Sequence, residues 1–158
     1  MKAFISYSVA DNNEFIITLL SVKLREKHFV ISTSQNFYSE SIDWNTINDI
    51  ATSMLFIGII TSKGIEKNRV IDEWKYAVNR NVPNLLLMED SVQLSTQFNG
   101  NYIRFNRLKP QKAIDEINRR MTPQSPTSKN SDEILPWILG GAALLAIIGL
   151  LTTTAEKR

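Results

Sequence analysis

The residues of this chain best placed by type and spacing to do chemistry are two adjacent acids, Asp72 and Glu73, within NRVIDEWKYAVN at residues 68–79. At about 100° per residue, Val70, Trp74, Ala77 and Val78 share one apolar stripe, the pattern of a helix laid against a sheet. Asp72 then points away from that stripe into solvent, whereas Glu73 sits on its flank, at the rim of whatever the helix covers. The two carboxylates are therefore not equivalent. A flank carboxylate can be partly desolvated and aimed at a ligand lying over strand ends; an outward one cannot. The plain alternative is structural: Arg69 precedes Glu73 by one turn, and an exposed pair at that spacing contributes about 0.2–0.5 kcal/mol to a helix. On the helix alone both readings stay open.

Composition removes several other chemistries. The chain has 158 residues, enough for one domain of ordinary size. It has no cysteine, so disulfides, thiolate metal sites and cysteine nucleophiles are all absent. The single histidine, His28, lies between a helix and a strand and reads as a boundary residue, which leaves no basis for a histidine metal site or a Ser/His/Asp triad. No metal and no bound cofactor is expected. The 18 basic and 16 acidic residues are spread along the chain without a basic, aromatic-rich segment, so nucleic acid is not an expected partner.

The elements that must position Glu73 follow from hydrophobic periodicity. Residues 2–7, KAFISY, read as a buried first strand and not as a signal peptide. A polar turn over 8–13, with Asp11 three residues before Glu14, starts a helix over 14–27 that has Ile16, Leu19, Leu20 and Leu24 on one face. Residues 29–31 give a second strand. The polar loop 32–41 carries Phe37 and Tyr38, which either pack as a lid or contact a ligand near the strand ends. A helix over 43–53 sets Ile47, Ile50, Ala51 and Met54 at helical spacing. The unbroken apolar run 54–60, MLFIGII, predicts a central parallel strand covered on both faces. After a loop over 61–67 with Gly64 comes the helix bearing Glu73, which Pro83 stops. Strands over 84–88 and 102–105 flank an irregular connection, and a helix over 109–121 closes the domain. Five alternations of strand and helix predict an α/β fold: a five-stranded parallel sheet, doubly wound and flavodoxin-like, with ligands bound beyond the carboxyl ends of its strands.

Beyond residue 121 the composition changes. Residues 122–133 are rich in Pro and Ser and read as a flexible linker. The run from Ile134 to Leu151, ILPWILGGAALLAIIGLL, is uncharged over about 18 residues, the length that crosses the hydrocarbon layer, within a helix expected over 134–154 before a polar tail at 155–158. Ala142, Ala146 and Gly149 share one face, where two such helices can pack closely. The expectation is a single-pass membrane protein whose domain at 1–121 stays in the cytoplasm. The terminal Lys157 and Arg158 weigh mildly against that orientation.

The loops decide among doubly wound chemistries. No glycine-rich dinucleotide turn follows the first strand and no phosphate-binding loop is present. A phosphate-accepting receiver domain needs an Asp where this chain has Thr61. What it has is FISYS at 4–8 with Asp11 close behind, and a segment from Ser62 through Glu73 to Ala77. The first resembles the opening box of Toll/interleukin-1 receptor (TIR) domains, and the second resembles the segment that carries their glutamate. Over residues 1–121 the chain is similar to a TIR domain of the bacterial kind. That resemblance implies either cleavage of NAD, as substrate, at its nicotinamide–ribose bond, with a linear or a cyclised product and a role in antiviral defence, or a non-catalytic module that assembles with partner TIR domains. In the first case Glu73 is the catalytic glutamate, Tyr7, Ser8 and Asp11 help form the nucleotide cleft, and the loop 32–41 is mobile. Many members have a tryptophan shortly before the glutamate; here Asn68, Arg69 and Val70 fill that stretch, so Trp44 and Trp74 are the candidates to supply the missing aromatic surface, and Phe37 and Trp44 are expected among the substrate-binding residues.

Overall fold

The computed structural model describes residues 1–11, 15–38, 41–93, 98, 100, 102–109 and 112. Within them the chain forms β1 (Lys2–Ser6), a short 3-10 turn (Val9–Asp11), α1 (Phe15–Glu26), β2 (Val30–Ser32), α2 (Trp44–Ala51), β3 (Leu55–Ile60), α3 (Lys67–Asn79), β4 (Asn84–Glu89) and β5 (Ile103–Phe105). The five strands make one parallel sheet in the order β2-β1-β3-β4-β5. This is the flavodoxin-like order, in which the winding direction reverses between β1 and β3. All six residues of β3 are buried, as befits the middle of a sheet covered on both sides.

Alternation along the strands sorts the core into two layers. On one face Ala3 and Ile5 of β1 and Leu55, Ile57 and Ile59 of β3 pack against Ile16, Ile17, Leu20 and Leu24 of α1. On the other, Phe4, Phe56, Leu86 and Met88 meet Ile50 of α2 and Val70, Trp74 and Ala77 of α3. Phe4 and Phe56 stack there, with centroids 5.7 Å apart and rings 8° from parallel.

Several expectations shift. Val78 and Met54 are both exposed: the apolar stripe of α3 is narrower than its spacing suggests, and α2 ends at Ala51, short of Met54. Glu89 is the last residue of β4 and not part of the following connection. α1 ends by a turn in which His28 has φ 63°, the His28 amide donates to the Arg25 carbonyl and the Phe29 amide reaches back to the Leu24 carbonyl. That is a Schellman motif with a histidine in the place usually held by glycine. α3 ends the same way at Asn81, φ 55°, so the helix is closed before Pro83 is reached. The closing helix expected over 109–121, the linker 122–133, the membrane helix 134–154 and the tail 155–158 lie outside the described residues apart from Lys109 and Lys112. Among the described residues no helix is long and apolar enough to cross a membrane.

Candidate functional site

Register assembles the site. Ser6, the last residue of β1, lies opposite Gly58 of β3 and shares a sheet face with Phe4, the face that α2 and α3 cover. A Cβ on Gly58 would come within 2.8 Å of Leu86 Cδ1 and 3.5 Å of Val70 Cγ1. The absent side chain leaves room for Leu86, and Val70 of α3 packs at ordinary contact distance over the same spot. Three residues on, Glu73 then meets Ser6.

The Glu73 carboxylate is 1% exposed. Ser6 Oγ donates to its Oε2 at 2.5 Å, Arg69 Nη1 donates to its Oε1 at 2.8 Å, and Ser34 Oγ lies 2.9 Å from both oxygens. A hydroxyl has one proton, so that of Ser34 is shared between the two. Arg69 is itself buried. Its Nη1 also donates to Ser34 Oγ at 2.5 Å, its Nη2 donates to the Tyr7 carbonyl at 2.6 Å, and the Phe37 ring covers the guanidinium with its centroid 5.1 Å away. Tyr7 packs against Phe37, centroids 5.8 Å apart. Of the three guanidinium nitrogens of Arg69, Nε is the one with no partner among the described residues.

The β2–α2 loop is fixed where it meets this cluster. Asp43 caps α2 by accepting from the Thr46 amide at 3.1 Å and the Thr46 hydroxyl at 2.7 Å, and the Thr46 Oγ1 in turn accepts from the Gln35 amide at 3.2 Å. The residue after Ser34 is thereby pinned to the start of the helix. The Thr46 hydroxyl, against a smaller opposing effect of burial and with help from nearby backbone amides, holds the Asp43 carboxyl below its usual range.

The structure brings Tyr7, Phe37 and Glu73 together and separates the other expected residues from them. Asp11, fully buried, accepts from the Thr61 hydroxyl, and Ser8 lies under Gly64, where a Cβ would sit 2.4 Å from Ser8 Oγ. Both residues bind the loop after β1 to the loop after β3. Trp44, the first residue of α2, is 77% exposed, and Tyr38 stands out from the loop as well. Trp74 belongs to the packing face and donates from its indole to Asn84 Oδ1 at 2.9 Å. The expected half-desolvated carboxylate, open to a cleft, is instead sealed: the loop after β2 folds over it, and Arg69 faces it from one turn earlier. Spacing alone did not single out Ser6 or Ser34. Ser6 does carry a signal, because a polar side chain at an inward strand position needs a partner; Ser34 is one serine among several in a polar loop.

A second acid escaped the sequence reading. Glu89, at the carboxyl end of β4, accepts from the Ser62 amide at 2.7 Å, the Ser62 hydroxyl at 2.9 Å and Arg107 Nη2 at 3.1 Å. Burial pushes its carboxyl up, but the bonds from Ser62, the charge of Arg107 and the Ser91 hydroxyl outweigh that and hold it below the usual range. Among the described residues no group of three or more His, Asp and Glu is arranged to hold a metal ion.

No family model matches the sequence, and no curated protein matches it. Among solved structures, a 2-deoxyribosyltransferase from the psychrotolerant bacterium Bacillus psychrosaccharolyticus is similar at a TM-score of 0.44 and 14% identity, over 67% of this chain and 86% of that one. A likeness at that level assigns no activity.

Proposed function

We propose that the domain is a TIR-type enzyme that cleaves NAD at the nicotinamide–ribose bond, with Glu73 as its catalytic carboxylate. The observation that carries this reading is the position of Glu73: buried under the carboxyl ends of β1 and β2, beside the β1/β3 switch point where doubly wound sheets bind ligands. Two of its three partners are hydroxyls, the group a ribose would offer in exchange. The chemistry asks for little more. Nicotinamide leaves as a neutral molecule from a cationic ring, so no general acid is required, and positive charge develops on the ribose as the bond breaks. A fixed carboxylate beside the sugar stabilises that charge electrostatically, and water completes the hydrolysis at the anomeric carbon. In this reading the run from Ile134 to Leu151 anchors the chain in a lipid bilayer with the domain in the cytoplasm. Confinement to two dimensions raises the effective concentration for self-association or for meeting partner TIR domains.

A second reading is favoured by a different observation. Glu73 is closed off while Tyr38 and Trp44, at the two ends of the loop, are exposed, which suits a non-catalytic module that docks partner TIR domains through that loop. The deciding experiment is nicotinamide release from NAD by the full-length chain in liposomes, beside Glu73→Ala. The enzyme reading expects release that drops by about a hundredfold or more in the variant. Release equal in the two proteins, or none at high protein density, refutes it in favour of the docking module.

A further inference from the structure

Arg69 joins three separate pieces of the fold. It bonds to the end of β1 at the Tyr7 carbonyl, to the β2–α2 loop at Ser34 Oγ, and to Glu73 on its own helix, with Phe37 as a roof. As long as it stays there, Glu73 Oε1 is occupied and the loop is tied down. The seat is also incomplete, since Nε has no partner among the described residues. The bond from Arg69 to Glu73 uses one nitrogen only, whereas the guanidinium fork can engage two oxygens of a phosphate at once.

We propose that Arg69 is a phosphate-operated gate on the Glu73 site: its guanidinium holds residues 33–38 shut over the carboxylate, and moves to the pyrophosphate of an incoming dinucleotide, which frees Glu73 for the ribose. This rests on the reading of Glu73 as the acid of a nucleotide-cleaving site. It names the substrate class more narrowly: a nucleoside carrying phosphate opens the site, and the same nucleoside without phosphate does not. The charges balance without a further group, because Arg69 exchanges one anionic partner for another while the ribose hydroxyls replace its bond to Glu73.

The test uses the full-length chain in liposomes, with NAD and nicotinamide riboside as paired substrates and amide hydrogen exchange of residues 34–38 as a readout independent of turnover. The native chain should release nicotinamide from NAD and poorly from the riboside. In Arg69→Ala the two kcat/KM values should cross over: the riboside gains, NAD loses its phosphate contact, and their ratio falls by about tenfold or more. Arg69→Lys, which keeps a charge but not the fork, should fall between. Damage to the fold would instead lower both values in proportion, and that result overturns the gate. Inorganic pyrophosphate should speed exchange at 34–38 in the native chain and not in Arg69→Ala; unchanged exchange in the native chain overturns it as well. If Arg69→Ala does not fold, Phe37→Ala removes the roof alone and should raise both loop exchange and use of the riboside, and a loop as protected as before refutes the proposal. Should no protein release nicotinamide from either substrate, the cleavage reading fails, and the response of the loop to pyrophosphate still decides the gate.

Discussion

Replacing Glu73 by Gln removes one charge from a pair whose side chains are 1% and 5% exposed, and changes almost no volume. The serines can accommodate the amide, since each hydroxyl both donates and accepts, so the loss is the anion facing Arg69. Breaking a buried pair from one side costs about 3–5 kcal/mol, because the remaining charge is stranded. Arg69 keeps the Tyr7 carbonyl and the Ser34 hydroxyl as neutral acceptors, which places the cost near the lower end, about 3 kcal/mol. A domain of this size loses roughly 3–4 °C of melting temperature per kcal/mol, so Glu73→Gln should melt about 10 °C below the native chain. An exposed pair at the same helical spacing would give under about 2 °C. Near-UV circular dichroism of the full-length chain in detergent reports the loss of tertiary packing. A double-mutant cycle with Arg69→Met should then yield a coupling of about 2 kcal/mol or more. A Glu73→Gln melt within about 2 °C of native, with coupling below about 0.5 kcal/mol, would refute the buried pair, and with it the closed site.

Two further outcomes follow from the termini of other elements. The carboxyl of Glu89 is lowered on folding, so its contribution to stability is complete above the ordinary glutamate value of 4.5 and is lost as pH falls through the lower folded value. The stability gap between the native chain and Glu89→Gln, measured by urea unfolding, should therefore be constant from neutral pH down to about pH 5 and narrow below it; a gap that widens in acid contradicts the Ser62 and Arg107 contacts. His28→Gly relieves a left-handed backbone at the end of α1, where φ is 63°. It should raise stability by about 0.5–1 kcal/mol, or roughly 2–4 °C in a thermal melt, and a lower melting temperature would show that the imidazole makes a compensating contact.

What could be read from the sequence was whatever repeats along one element. Continuous apolar runs gave β3 and β4, and the 3.6-residue stripe through Val70, Trp74 and Ala77 gave the packed face of α3. The parallel sheet followed from the alternation of such elements. The boundaries drifted by a residue or two, because β1 stops at Ser6 and β2 runs on through Ser32. The site was legible only in part, for a different reason. Glu73 and its neighbour Arg69 lie one turn apart and can be found by spacing. Ser6, Ser34 and the Tyr7 carbonyl come to them across the sheet register and a loop fold, neither of which leaves a period in the sequence. Asp11 and Ser8 were expected to line the cleft and instead tie two loops together, since the close approach of Gly64 takes up the space above them.

The buried pair also bears on why there is an acid at this position at all. Ion pairs removed from water are commonly no better for stability than apolar side chains of the same shape. The helix face beside Glu73 is already apolar, and Val70 and Trp74 show that such side chains fit there. A carboxylate and a guanidinium at these two positions carry a desolvation cost that packing does not require, and one donor, Arg69 Nε, goes unpaired among the described residues. What the arrangement supplies instead is an anion whose position is set from three directions, by β1, by the loop after β2 and by α3. Such fixing is what electrostatic stabilisation of a developing cation needs, since the dipoles and charges must be in place before the bond breaks. It is also what a cation alone can switch off. On the proposed reading, the same residues account for both a carboxylate held ready and a cover that has to be lifted, and the Glu73→Gln, Arg69→Met cycle measures the part of that closure that the pair itself contributes.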